Sequence, residues 1–123
     1  MWGLGNIAGD SSAFRDLILG SGGVDAVIRT LERTQKRTVF TNGIWALSNL
    51  CRAKPIAQWS LVSRAVPSFC NAIKTESDSQ TLSDAAWGLY YISEQTECVK
   101  YLTSLEIIPY LIHYLRYAEI NLP

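Results

Sequence analysis

Three pentads decide how this chain folds: Trp2-Gly3-Leu4-Gly5-Asn6, Trp45-Ala46-Leu47-Ser48-Asn49 and Trp87-Gly88-Leu89-Tyr90-Tyr91. Their tryptophans are 43 and 42 residues apart. A second anchor keeps the same period, since Val24-Asp25, Val66-Pro67 and Ile108-Pro109 recur at 42 and 42, and each opens an apolar run closing at Leu31, Ile73 and Leu115. Self-similarity near 40 residues is the signature of a repeat array in which each unit buries its apolar face only against its neighbours. Trp59 falls outside the pattern and reads as a packing residue.

Each unit reads as helical. A short first segment holds Leu17, Ile18 and Leu19 and stops at Gly20-Ser21-Gly22-Gly23, the residues that end helices. A second segment runs from about Val24 to Leu31; its counterparts begin near Pro67 and Pro109, where proline's missing N–H costs nothing in a first helical turn. The third and longest segment spans roughly Thr38 to Cys51 and Thr81 to Ser93, stopped by Lys54-Pro55 in one unit and by Glu94-Gln95-Thr96 in the other. Three helices per repeat and no alternating strand pattern predict an all-α solenoid. The expected division is the last helix of one repeat at 1–9, full repeats at 10–53 and 54–95, and the first two helices of another at 96–123. Both ends then present apolar residues, among them Leu4, Ile7, Ile108 and Leu111, and a homo-oligomer through open solenoid ends is expected.

Composition narrows the function. Eleven basic and eleven acidic residues give no net charge, which argues against a general nucleic-acid binder. With 48% hydrophobic and 18% charged residues the chain has ordinary globular composition. The apolar stretch from Ile107 to Leu115 is about half of the roughly 20 residues that a membrane span requires, and Pro109 and His113 interrupt it. Cys51, Cys70 and Cys98 include no CxxC pair, and the single His113 has no neighbour at metal spacing, so buried inert thiols, a reducing compartment, no metal and no cofactor are expected. No nucleophile with an adjacent base and no phosphate-binding glycine loop stands in the chain, and an enzyme is not expected.

Offsets of three and four share a helix face, so the residues around each tryptophan form stripes. One repeat gives Asn42, Trp45, Asn49 and Arg52; the next gives Asp84, Trp87, Tyr91 and Glu94; the first gives Trp2, Asn6 and, past the turn, Asp10. Ile44, Leu47, Leu50 and Cys51, like Ala86, Leu89 and Ile92, are expected to face the core. Tryptophans at repeat spacing can serve a core alone, but a core tryptophan does not require asparagine one turn later, and asparagine is a mediocre helix former. An aromatic and amide ladder suits an extended peptide: helices stack about 8–10 Å apart and a peptide advances about 3.3 Å per residue. Asparagine can satisfy both a main-chain N–H and a C=O, and an indole face attracts a cation and packs on the stem of Lys or Arg. The basic run Arg29, Arg33, Lys36 and Arg37 falls between second and third helices and reads as a solvated edge. It leaves open a second class, an interaction scaffold for acidic or mixed partners.

Trp2-Gly-Leu-Gly-Asn-Ile-Ala-Gly-Asp10, followed by Trp45-Ala-Leu-Ser-Asn-Leu-Cys-Arg52 and then by Asp84, Trp87 and Tyr91, resembles the armadillo repeats of the importin-α (karyopherin-α) family in motif and in order. The resemblance spans essentially the whole chain and implies a right-handed α-solenoid of armadillo repeats. It implies a nuclear-import adaptor of cytoplasm and nucleus that holds the Lys/Arg-rich localisation signal of a cargo in extended form. On that resemblance Trp2, Trp45 and Trp87 would stack on basic side chains, and Asn6, Asn42 and Asn49 would hold the cargo main chain. Asp10 would pair with the most discriminating lysine, Asp84 would be a second acid along the groove, Tyr91 would stand in place of Asn, and Arg52 would separate two cargo sites; the stripe itself adds Glu94 as an acid near the rings. The family's partner importin-β binds a basic segment that has no counterpart in these 123 residues. The alternative is an armadillo scaffold without an import function.

Overall fold

The computed structural model describes residues 3–6, 11–52, 55–75 and 78–113. Within them every regular element is a helix, in the order α1 (described over 3–6), α2 (Ser12–Gly20), α3 (Gly23–Arg33), α4 (Arg37–Cys51), α5 (Trp59–Val62), α6 (Ala65–Thr75), α7 (Ser79–Ile92), α8 (Thr96–Ser104) and α9 (described over 108–113). No strand occurs among the described residues, and none of their helices is long and apolar enough to cross a membrane.

Helix ends follow local chemistry. Ser11 caps α2, its Oγ accepting the Phe14 N–H at 3.1 Å. The chain turns from α2 into α3 at Gly22, whose φ of 83° lies in the left-handed region that a side chain disfavours. Asp78 opens α7, its carboxylate accepting from the Thr81 N–H at 3.0 Å and the Thr81 hydroxyl at 2.7 Å. These two bonds, the side-chain one foremost, hold the Asp78 carboxyl below its ordinary range. The first helix of the second full unit is reduced to the single turn of α5, and Trp59 at its start is half-buried, edge-on to Tyr101 at 6.3 Å.

The core is one cluster shared by successive units. Ile44, Leu47 and Leu50 of α4, Phe69 and Ile73 of α6, and Leu89 and Ile92 of α7 lie within it. The three-residue offset of their apolar faces produces this, because the third helices α4 and α7 lie side by side and each covers what the other exposes. One expected core residue is misplaced: Ala86 is exposed and Ala85 is buried. Helical spacing accounts for this, since Ala85 stands four and seven residues before the buried Leu89 and Ile92. A Cβ added to Gly88 would come within 2.4 Å of the Phe69 ring, so that ring sits directly on the α7 backbone. The same device joins α1 to α4. A Cβ on Gly5 would meet the Trp45 ring at 2.4 Å, and Asn49 Nδ2 donates to the Gly5 carbonyl at 2.9 Å.

Arg15 of α2 is only 1% exposed. Its guanidinium donates to the carbonyls of Arg52 (2.5 Å) and Pro55 (2.6 Å) and to Asp16 Oδ1 (2.9 and 3.0 Å), pinning the connection that leads from α4 to the next unit. Gln95 does a similar service one unit later, donating to the Ala57 carbonyl at 3.1 Å. All three cysteines are buried and reduced. Burial, with a smaller push from Cys98 that Arg15 opposes, raises the Cys51 thiol to about 12; burial raises Cys70 to about 11 and also raises Cys98.

Two stability changes follow. Arg15→Ala strips both loop carbonyls of their buried donor and should cost on the order of 3 kcal/mol in urea unfolding. Gly5→Ala forces the Trp45 ring aside and should cost about 1–3 kcal/mol. It should also change tryptophan emission, and that change should vanish in a Trp45→Phe background.

Candidate functional site

Two open wells adjoin the third helices, one between α4 and α7 and one on α7 alone. The first lies between α4 and α7, about 300 Å³ in volume, lined by Thr41, Asn42, Trp45, Asp78, Gln80, Thr81 and Asp84. Asn42 and Trp45 are three residues apart on α4, and Asp78, Gln80, Thr81 and Asp84 occupy the cap and first turns of α7, so helical spacing aims both sets at one cleft. Asn42 is exposed and Trp45 half-buried, its ring resting on α1 at Gly5. Asp84 accepts from Gln80 Nε2 at 3.1 Å. Partial burial pushes its carboxyl above the usual range, the Gln80 bond opposes that, and the nearby Asp78 charge adds to it. Two carboxylates, two amides and an indole thus meet in one cleft. Arg37 already favours the charge on Asp78, so an entering cation would act chiefly on Asp84.

The second well, about 480 Å³, is lined by Ser83, Ala86, Trp87 and Tyr90. Trp87 is 52% exposed and Tyr90 61%. Tyr91 stacks on Trp87 with centroids 5.9 Å apart and planes inclined by 23°.

Other expected site residues are placed differently. Trp2 and Asp10 lie outside the described residues. Asn6 is exposed on α1. Asn49 is 8% exposed and its amide is engaged with the Gly5 carbonyl, a competing partner that the stripe argument did not contain. Arg52 and Glu94 are exposed, but neither continues its helix: Arg52 caps α4 with extended backbone (φ −77°, ψ 161°), and Glu94 lies in the turn after α7. Helical offsets of three therefore do not project them onto the stripes. Asp78, Gln80 and Thr81 were missed by the sequence argument. Part of their signal was available, since an Asp just before an apolar periodic segment is a preferred N-cap, but that this helix end lies beside Trp45 depends on packing. Arg29, Arg33, Lys36 and Arg37 are exposed on the end of α3 and the start of α4, and none of them lines either well. His113 is exposed on α9. Among the described residues no group of three or more His, Cys, Asp or Glu could hold a metal ion.

No family model matches the chain. Curated relatives do. It is 35% identical over 120 residues to importin subunit alpha-2 of Arabidopsis thaliana, covering 97% of this chain and 22% of that protein. It is 40% identical over 96 residues to importin subunit alpha-1b of Oryza sativa subsp. japonica, covering 78% and 18%, and 29% identical over 133 residues to probable importin subunit alpha-A of Dictyostelium discoideum, covering 96% and 24%. The chain spans about a fifth of the length of these relatives. The first of these matches covers nearly all of the chain and accompanies a succession of packed helices without strands among the described residues. Over the residues it spans, the chain belongs to the importin-α family, an armadillo α-solenoid.

Proposed function

We propose that this chain is the cargo-holding section of a nuclear-import adaptor and binds a Lys/Arg-rich signal in extended form along its third helices. The observation that carries this reading is the α4–α7 well, where Asn42, Trp45, Asp78 and Asp84 line one cleft between successive units. In it the Trp45 ring takes the methylene stem and charge of a basic side chain, and Asp84 receives its head, with Asp78 engaged in capping α7. Asn42 and the exposed Asn6 hold the peptide main chain, which is otherwise paired to nothing. Asn49, already tied to Gly5, steadies the base of the ladder. Trp2 and Asp10 repeat the pattern in the preceding unit, and Trp87 with Tyr91 continues it in the next. The proposal for the longer protein includes importin-β as partner and movement between cytoplasm and nucleus. The expected repeat division at 1–9, 10–53, 54–95 and 96–123 belongs to it as well.

Titration of a fluorescent Lys-Lys-Lys-Arg-Lys peptide tests this. Trp45→Ala should cost on the order of 2 kcal/mol, about thirtyfold in affinity, as a true aromatic anchor does. Affinity indifferent to that substitution would sink the groove assignment. Asp84 supplies a pH signature. Its carboxyl lies above the ordinary range in the free protein, and a bound cation favours the ionised form. Affinity should therefore fall as pH drops through the Asp84 titration and rise above it. Asp84→Asn should bind more weakly at neutral pH and flatten the acidic limb.

A further inference from the structure

In the α4–α7 cleft each carboxylate already has an oxygen in use. Asp78 Oδ2 takes both bonds from Thr81, the N–H at 3.0 Å and the hydroxyl at 2.7 Å. Asp84 Oδ1 takes an amide N–H of Gln80 at 3.1 Å. A carboxylate only accepts, so the nitrogen of the Gln80 amide must be the atom that faces Asp84, and its carbonyl oxygen is left over. Neither that oxygen nor the Asn42 side chain has a hydrogen-bond partner among the described residues, and both residues line the cleft with Asp84. Asp78 and Asp84 are its charged lining residues, and Arg37 at the head of α4 acts on Asp78. The Gln80–Asp84 pair is peculiar to this unit: Thr38 and Asn42 stand in register with it one repeat earlier.

Arginine and lysine meet such a cleft differently. A guanidinium is a planar fork that binds most strongly when two of its N–H groups grip both oxygens of one carboxylate. With an oxygen of each acid committed, no carboxylate in the cleft is fully open to that fork. An ammonium is a compact point charge whose three N–H groups can go to three separate acceptors. Asp84 Oδ2, the Gln80 carbonyl and the Asn42 carbonyl are three such acceptors on one cleft. We propose that the α4–α7 cleft selects lysine over arginine, and that Gln80 is the positioning residue behind the choice, occupying one oxygen of Asp84 and adding its own carbonyl as an acceptor. That the lysine arrives on an extended peptide rests on the function proposed above; the preference for an ammonium head does not.

The cleft is tested without peptide by methylammonium and methylguanidinium chlorides at equal ionic strength. The readout is the ¹³C carboxyl signal that disappears in Asp84→Asn. Methylammonium should saturate its shift at about fivefold lower concentration. Gln80 is exposed, and Gln80→Met keeps its length while removing the amide, so in that variant the two salts should agree within about twofold. The variant should also titrate Asp84 at higher pH, because the Gln80 bond holds that carboxyl down, a change that a merely structural Gln80 would not produce. An equal response in the unaltered chain, a preference for methylguanidinium, or a preference that survives Gln80→Met would each overturn the proposal. In the Lys-Lys-Lys-Arg-Lys titration, replacing one lysine at a time by arginine keeps the charge constant and should weaken binding about fivefold at one position, a loss absent in Gln80→Met. A scan flat at every position while Trp45→Ala still weakens binding would overturn the lysine selection and leave the groove reading standing. A methylammonium preference beside a peptide indifferent to Trp45→Ala would overturn the groove reading alone.

Discussion

The close approach of neighbouring third helices is the constraint on which the rest of the molecule depends. The Trp45 ring lies where a Gly5 side chain would be, and Asn49 closes the contact with a bond to the Gly5 carbonyl. One unit on, α7 packs beside α4, while Phe69 of α6 lies on the bare backbone at Gly88. Protein interiors tolerate little change of volume, so the Trp45 ring on Gly5 sets how closely one unit approaches the next, and the Phe69 ring on Gly88 sets the packing of helices within a unit. The consequence for the exposed face is direct. An indole resting on a neighbour's backbone is held at a fixed height and angle, and the cleft beside it inherits that rigidity.

Charge is organised by position more than by amount. The neutral total conceals a basic run at the α3–α4 edge and a pair of carboxylates at the head of α7. Those carboxylates are unequal: Asp78 is held in its ionised form by the bonds that cap the helix, whereas Asp84 pays for partial burial and for its neighbour's charge. One acid serves the fold, and the other is left eager for a counter-charge.

Much of this was legible in the sequence, for a physical reason. Period, helix type and core stripe depend on residue spacing alone, and Ile44, Leu47, Leu50, Leu89 and Ile92 lie in the core where their spacing put them. What was not legible depends on partners far along the chain. Nothing near Arg15 announces that its guanidinium will be buried against carbonyls 37 and 40 residues away. Asn49 is drawn inward by a carbonyl 44 residues earlier. Arg52 and Glu94 were projected with helical geometry past the point where the helix stops; Ala86, by contrast, was one position off a stripe that Leu89 and Ile92 place on Ala85. Of the wells, the residues already on the stripes were foreseeable, and the capping acid opposite Trp45 required knowing which helix end lies beside which ring.

The three buried thiols have a bearing on motion. Cys51, Cys70 and Cys98 fall in the third helix of one unit, the second helix of the next and the first helix of the one after. In a stack that holds together only through nearest neighbours, units open locally and in groups rather than all at once. A thiol lifted well above its ordinary titration range is inert while covered and becomes an ordinary nucleophile when water reaches it. The chain thus carries one chemical clock per unit, and the order in which the three react with an alkylating agent traces the path along which the solenoid breathes.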